Sequence, residues 1–249
     1  MTDRRVVRRA RPLLGTLVEI GAAIGDDASL QATVDAVDAA FARIAALQDR
    51  LSRFDATSDV GRFNAAPPGA AVAIGDDTAC VLAAAALLRD ESAGVFDVTL
   101  GSGANDWRVE QGMLVKLAEG VRIDLGGIGK GFAVDAAVET LLACGIDAGW
   151  VNGGGDLRAF GALAVPIALR DEHRGGVSRF ASLEDGAFAT SRQRDRAGRW
   201  RHASVAAPTC LHADALTKVV VASGDTSDPL LARLDARAWL HAEPQLAAI

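Results

Sequence analysis

Cysteine is scarce in this 249-residue chain: Cys80, Cys144 and Cys210 stand far apart, and none belongs to a CxxC pair. An odd number at such spacings supports neither a disulfide framework nor a zinc site, and it points to a reducing compartment. Long apolar runs are missing too. The longest, residues 79–88, is about half of the ~20 residues that a membrane-spanning helix needs. The apolar stretch "RPLLGTLVEIGAAIGDD" near the start is broken by Glu19, so it reads as a first strand rather than an export signal. A cytoplasmic protein without membrane insertion is expected. Excess positive charge is also lacking: a net charge of −6 and a pI near 5.2 argue against a nucleic-acid partner. The basic run "RRVVRRAR" at residues 4–11 is a local exception that reads as an N-terminal arm. No internal repeat or low-complexity linker divides the chain, and half of its residues are hydrophobic, so a single domain over residues 1–249 with a proper core is expected.

What is present begins with an amphipathic pattern. From Asp27 to Ser52, Leu30, Val34, Val37, Phe41, Ile44, Leu47 and Leu51 recur at steps of three and four, which predicts a long helix. The segment "LSRFDATSDVGRFNAAPPG" has loop composition and leads into a short strand, "AAVAI". Further helices are predicted over Asp77–Ser92, Phe132–Cys144 and His212–Ala222, with a last one in "DPLLARLDAR". "GVFDVTLG" reads as a short strand or loop. "AGWVN", "GGGD" and "LRAFGAL" give a hairpin, and "VPIALRD", "GAFATS" and "AWLHA" further strands. Strands and helices without strict alternation predict an α+β fold with mixed sheets and long packed helices rather than a doubly wound sheet.

The most distinctive stretch is "RIDLGGIGKGFAVD", residues 122–135, in which Gly126, Gly127, Gly129 and Gly131 surround Lys130. A Walker A loop would need Ser or Thr after the lysine and glycine where Asp124 stands. A dinucleotide fingerprint would need GxGxxG after an early strand. The stretch therefore reads as an anion site, with backbone amides and a helix N-terminus beside an ammonium, or as an ordinary glycine turn. In "LHADALTKVV", Asp214 shares a helix face with Thr217 and Lys218. That arrangement suits either a common ligand or a plain acid–lysine pair near a helix start. Asp97 in "GVFDVTLG" reads as a buried acid of a site or as a turn residue bonded to its own backbone, and Thr99 as a turn residue of the same kind. Trp150 and Trp239 lie in apolar, strand-like runs and are assigned to the core. His173, His212 and His241 lack metal-cluster spacing and read as surface or capping residues, and Cys210 as a buried small hydrophobe.

Taken together, "LLGTLVEI", "LSRFDATSDVGRFN", "GVFDVTLG", "IDLGGIGKGFAVD", "VNGGGDLRAFG", "GAFATS" and "ADALTKVV" resemble, in order and spacing, the ApbE-type FAD:protein FMN transferases. The resemblance implies a T-fold-like α+β protein. It further implies that the chain binds FAD and, with Mg2+, moves the FMN half onto a Thr or Ser of an acceptor flavoprotein, releasing AMP. Carried over by motif position, Leu14, Phe54, Val95, Phe96, Asp97, Asp124 and Lys130 contact the flavin nucleotide. Lys130 meets the pyrophosphate, and Phe54 stacks on adenine where the family usually has a tyrosine. The chain contains no tyrosine, and stacking does not require the hydroxyl. The Gly127 carbonyl, Asp214 and Thr217 form the implied metal set, with Asp214 and Lys130 the catalytic pair. Two departures stand out. Lys218 occupies the place of a family threonine four residues after the metal-binding Asp, so either Thr217 shifts in or Lys218 replaces part of the metal charge. The family's HxxDPxTG segment is not visible between Ser191 and Asp214, where only His202 could be its remnant. A flavin-binding or carrier protein without transferase activity, or an FAD pyrophosphatase, is the alternative.

Overall fold

The computed structural model describes residues 4–25, 29–170, 176–195 and 197–241. Strands β1 (Val6–Leu13) and β2 (Thr16–Ala23) form an antiparallel hairpin. Its turn residues, Leu14 and Gly15, both have positive φ, 56° and 70°. Such a two-residue turn matches the twist of the strands but strains a leucine. Helix α1 (Leu30–Leu51) is capped by Ser29, whose hydroxyl accepts a hydrogen bond from the Ala32 amide at 3.0 Å. Val37, Phe41, Ile44, Leu47 and Leu51 of the predicted stripe are buried, whereas the expected start at Asp27 lies outside the described residues. The basic run at the start is no free arm. It leads into and forms edge strand β1: Arg4, just ahead of the strand, pairs with Asp147 at 2.9 Å, and within it Arg8 pairs with Glu19 at 2.6 Å and Arg11 with Asp38 at 2.7 Å. Charge along an edge also discourages pairing with another chain.

The loop expected after α1 contains helix α2 (Asp59–Ala65). Ser58 caps it by accepting from the Gly61 amide at 2.8 Å, and Val60 and Phe63 are fully buried. Seven residues are too few to establish a helical period, which is why composition misled. Next come β3 (Ala71–Ala73), α3 (Asp76–Glu91) and the hairpin β4 (Trp107–Glu110) and β5 (Met113–Lys116), which the sequence did not announce. Strands β3, β5 and β4 form a small sheet in that order. "GVFDVTLG" is a chain of turns, not a strand.

Helix α4 (Gly129–Ala143), strands β6 (Gly149–Gly153), β7 (Asp156–Phe160), β8 (Val165–Arg170), β9 (Val177–Leu183), β10 (Gly186–Arg194) and β11 (Trp200–Ala207), helices α5 (Cys210–Ser223) and α6 (Pro229–Arg233), and strand β12 (Arg237–His241) complete the chain. The α+β class expected from the sequence holds. The main sheet has seven strands in the order β1-β2-β6-β7-β10-β11-β12, every neighbouring pair antiparallel. Helices α1, α4 and α5 pack on one face, with α4 between the other two. The β8–β9 hairpin covers part of the opposite face, where Val165 and Ile167 meet Leu157 and Phe188. Trp150 packs in this cluster and donates to Glu19 at 3.1 Å. Trp239 is not core as expected: it sits on edge strand β12, 36% exposed, against Phe180.

Asp59 ties α2 to the start of α3. Its carboxylate accepts from the Gly75 amide at 2.9 Å, the Thr78 hydroxyl at 2.6 Å and Arg62 at 2.6 Å. Burial alone would raise its carboxyl, but these bonds outweigh burial and hold it below the ordinary 3.8. A depressed folded-state value contributes stability that is complete above the unfolded value and is lost as pH falls through the folded one. Asp59→Ala is therefore expected to destabilise the neutral protein by about 2 kcal/mol. It should also flatten the loss of stability below pH 3.8; urea titrations at neutral and acid pH would read both effects. A variant that loses stability equally at both pH values would contradict the assignment.

Candidate functional site

The site grows from two helices that approach backbone to backbone. Helix α4 begins at Gly129, three residues before the expected Phe132, so half of the glycine-rich stretch is helix rather than loop. Gly131 faces the first turn of α5: an added Cβ would lie 2.6 Å from the Cys210 carbonyl carbon and closer still to its oxygen. The close approach read from the glycines is thus partly an approach to the protein's own chain. One turn on, Asp135 accepts from the Cys210 and Leu211 amides at 2.9 and 2.8 Å and pairs with Arg158 at 2.8 Å. A carboxylate of α4 therefore caps α5, fixing the helices in register. α5 starts at Cys210, before the expected His212, because Thr209 caps it; Thr209 also bonds the His212 ring at 2.9 Å. Cys210 is fully buried, and burial pushes its thiol well up.

This register brings Lys130, Asp214, Thr217 and Lys218 together. Lys130 pairs with Asp156 at the start of β7 and lies 3.6 Å from Asp214. Lys218 donates to Asp214 at 2.9 Å, to the Thr217 hydroxyl at 3.0 Å and to the Ser191 hydroxyl at 3.3 Å. The Asp214 side chain is wholly buried and that of Asp156 almost so, whereas those of Lys130 and Lys218 keep 32% and 18% of their exposure. Carboxylates lie inside, with ammonium groups toward water. Burial opposes the charge on Lys130, but Asp214 and Asp156 outweigh it, so its pKa is raised. The Asp156 carboxyl is pushed up to about 6, by burial first and by the Asp214 charge second, against the pull of Lys130. Asp156 and Ser191 were given no role in the sequence reading. The only available signal was that they end the "NGGGD" and "GAFATS" motifs.

Beside Lys130 opens a cleft of about 440 Å³, lined among others by Leu14, Gln48, Phe54, Asp124 and Gly126. That volume falls in the range of small-molecule sites. The Leu14 amide donates to Gln48 at 2.6 Å, pinning the strained β1–β2 turn over the C-terminal part of α1. Phe54 is 84% exposed, with the Arg53 guanidinium 4.2 Å above its ring. Asp124 pairs with Arg53 at 3.0 Å and accepts from the Gly126 amide at 2.8 Å. A stacking platform is thereby anchored to the glycine stretch.

The remaining expected residues are elsewhere. Phe96 is buried beneath Gly127, where an added Cβ would lie 3.6 Å from its ring, and Val95 packs on the core. Asp97 accepts from the Thr99 amide at 2.8 Å and the Gly101 amide at 3.0 Å, which is the turn role. None of these lines the cleft. His202 pairs in register with Arg192 across β10 and β11, while Ser191, one residue away, faces Lys218. Strand alternation therefore places His202 on the opposite face from α5. There its ring lies 4.6 Å from that of His241, tilted by 52°, and with Thr190 and Arg192 it lines a second, larger cleft of about 620 Å³. His173 lies outside the described residues.

A magnesium ion on the Gly127 carbonyl, Asp214 and Thr217 is not served by this arrangement. Magnesium needs several oxygen ligands at short range. Asp214 already accepts from Lys218 and, at 3.3 Å, from the Gly131 amide, and the Thr217 hydroxyl donates to the Asp214 carbonyl at 2.6 Å. Among the described residues, no group of three or more His, Cys, Asp or Glu is arranged to hold a metal. No described helix is long and apolar enough to cross a membrane.

Comparison with known proteins adds family and fold. The sequence model of the ApbE family matches residues 14–114 and 108–198. Flavin transferase ApbE from Vibrio cholerae superposes with a TM-score of 0.80 at 19% identity, covering 95% of this chain and 93% of that one. Pseudomonas stutzeri flavinyl transferase ApbE in its apo form gives 0.81 at 21% identity, covering 96% and 92%. The ApbE protein of Thermotoga maritima gives 0.80 at 20%, covering 95% and 94%. At such identities the likeness is one of fold. No curated protein sequence matches.

Proposed function

The chain belongs to the ApbE family, and from that membership we propose that it transfers the FMN half of FAD to a Thr or Ser hydroxyl of an acceptor protein. The observation that carries the reading is Lys130, an ammonium held by two buried carboxylates at the wall of a cleft that also presents an exposed aromatic ring. Phosphoryl transfer is mostly positioning and charge neutralisation. In this reading the FAD pyrophosphate lies against Lys130 and the first turn of α4, whose N-cap residue, Ile128, supplies no side-chain hydrogen bond. Phe54 stacks on the adenine. The acceptor hydroxyl oxygen bonds to the FMN phosphorus, the bridging bond to the AMP half breaks, AMP leaves and the hydroxyl proton is released. Lys130 and Asp214 are the proposed catalytic pair. The magnesium requirement implied by the resemblance is the part of the reading that the donor set supports least.

The test is incubation of the purified protein with FAD and a peptide bearing a Thr acceptor, with and without magnesium. Intact mass reports FMN attachment and chromatography reports AMP. Labelled peptide with stoichiometric AMP supports transfer. Intact FAD that stays bound indicates a carrier, and AMP with free FMN a pyrophosphatase. Phe54 is too exposed to matter to the core, so Phe54→Ala should leave the melting temperature unchanged. FAD binding should weaken by about 1–3 kcal/mol, the range for base–aromatic stacking, and Phe54→Tyr should restore it. Unchanged affinity in the alanine variant would remove Phe54 from the nucleotide site.

A further inference from the structure

We propose that Lys218 is a built-in cation: its ammonium, in place of a divalent metal, neutralises the nucleotide phosphate, so that flavin-nucleotide binding does not depend on magnesium. This rests on the flavin reading above and adds to it a second phosphate-facing charge beside Lys130. The seat of the ammonium is an oxygen cage of the kind a cation selects. Asp214 Oδ1 lies at 2.9 Å, Thr217 Oγ1 at 3.0 Å and Ser191 Oγ at 3.3 Å. These match the three donors of an ammonium, and the Ser191 contact, the longest, is the one a phosphate oxygen would replace. The glycine stretch is shaped to the lysine stem: an added Cβ at Gly127 would come within 3.3 Å of Lys218 Cγ. Gly127 adjoins Gly126, which lines the cleft.

Charge balance points the same way. Asp156 and Asp214 carry two negative charges, Lys130 and Lys218 two positive ones, and the cluster is neutral as it stands. A magnesium ion on Asp214 would meet the Lys218 ammonium on the same carboxylate, and at such separations like charges repel strongly in a partly buried site. Replacing Lys218 by threonine removes one positive charge, supplies a hydroxyl and leaves the buried acids in excess. Such a cluster should recruit a divalent cation.

The experiment is calorimetric titration of FAD into the full-length protein, once in excess EDTA and once in magnesium chloride, for the wild type and for Lys218→Thr, with thermal melts to check folding. Wild-type affinities in the two buffers should agree within about twofold, well under the tenfold that 1.4 kcal/mol represents. In Lys218→Thr, magnesium should tighten binding by roughly tenfold or more, a change of at least ~1.4 kcal/mol. If that variant does not fold, the two wild-type titrations decide alone. Wild-type binding that requires magnesium overturns the built-in cation while leaving the flavin reading intact. Absence of FAD binding in both buffers overturns the flavin reading, and this inference with it.

Discussion

Asp214→Ala is expected to cost about 3–5 kcal/mol of folding stability, the range for breaking a buried ion pair from one side, and to abolish detectable flavin transfer. Asp214 is the hub of the cluster. Lys218 donates to one oxygen and the Gly131 amide to the other, with Lys130 at 3.6 Å. Without the carboxylate, both ammonium groups and a buried amide face a cavity, with only Asp156 left to balance them. Urea denaturation gives the stability term, and FMN attachment to an acceptor peptide gives the transfer term, expected to fall by at least ~10²-fold. The double variant Asp214→Ala with Lys218→Met should be more stable than Asp214→Ala alone, because it removes one of the stranded charges. A single variant within about 1 kcal/mol of wild type would fall inside the range of an exposed ion pair, and Asp214 would lose its place as hub.

The second large effect is expected at Gly131. Its Cα faces the Cys210 carbonyl so closely that even a methyl overlaps backbone on α5. Gly131→Ala should destabilise the protein by about 3 kcal/mol, at or above the usual overpacking range. Backbone cannot rotate away as a side chain can. Since α4 carries Lys130 and α5 carries Asp214, pushing the helices apart should also weaken FAD binding. Gly129→Ala is the control: its added Cβ would lie 3.4 Å from Leu125 Cβ, an ordinary contact. Alanine also favours helix over glycine by ~1 kcal/mol, so this variant should keep or gain stability. Equal melting temperatures for the two variants would mean that α4 can slide on α5.

Several features were legible before any coordinates. The stripe of α1 follows directly from a period of 3.6 on a helix with one buried face. The β6–β7 hairpin is announced by its glycines, and the family by short motifs kept in order along the chain. Other features had no local signal. α2 is too short for periodicity, and β4 and β5 are four residues each. α4 was expected from Phe132, and only its first turn, Gly129–Gly131, had no helical signal, because glycine disfavours helix. Phe96 and Asp97 were assigned to the nucleotide by motif position, and the packing of Phe96 under Gly127 had no signal in the sequence pattern, whereas the turn bonds of Asp97 were one of its two readings.

Within the site the division is sharper. Residue order alone selected Lys130 and Asp214, which are 84 positions apart, and raised the question of Lys218 at a threonine position. Only the tertiary structure could decide what those charges face. The pairing of Lys130 with Asp156, the seat of Lys218 on Ser191 and the displacement of His202 to the far face depend on which strands lie beside which helices. Charge type is a property of each residue and is written in the chain. Charge partnership falls off steeply with distance and burial, and both are set only when the sheet and the three helices close on one another.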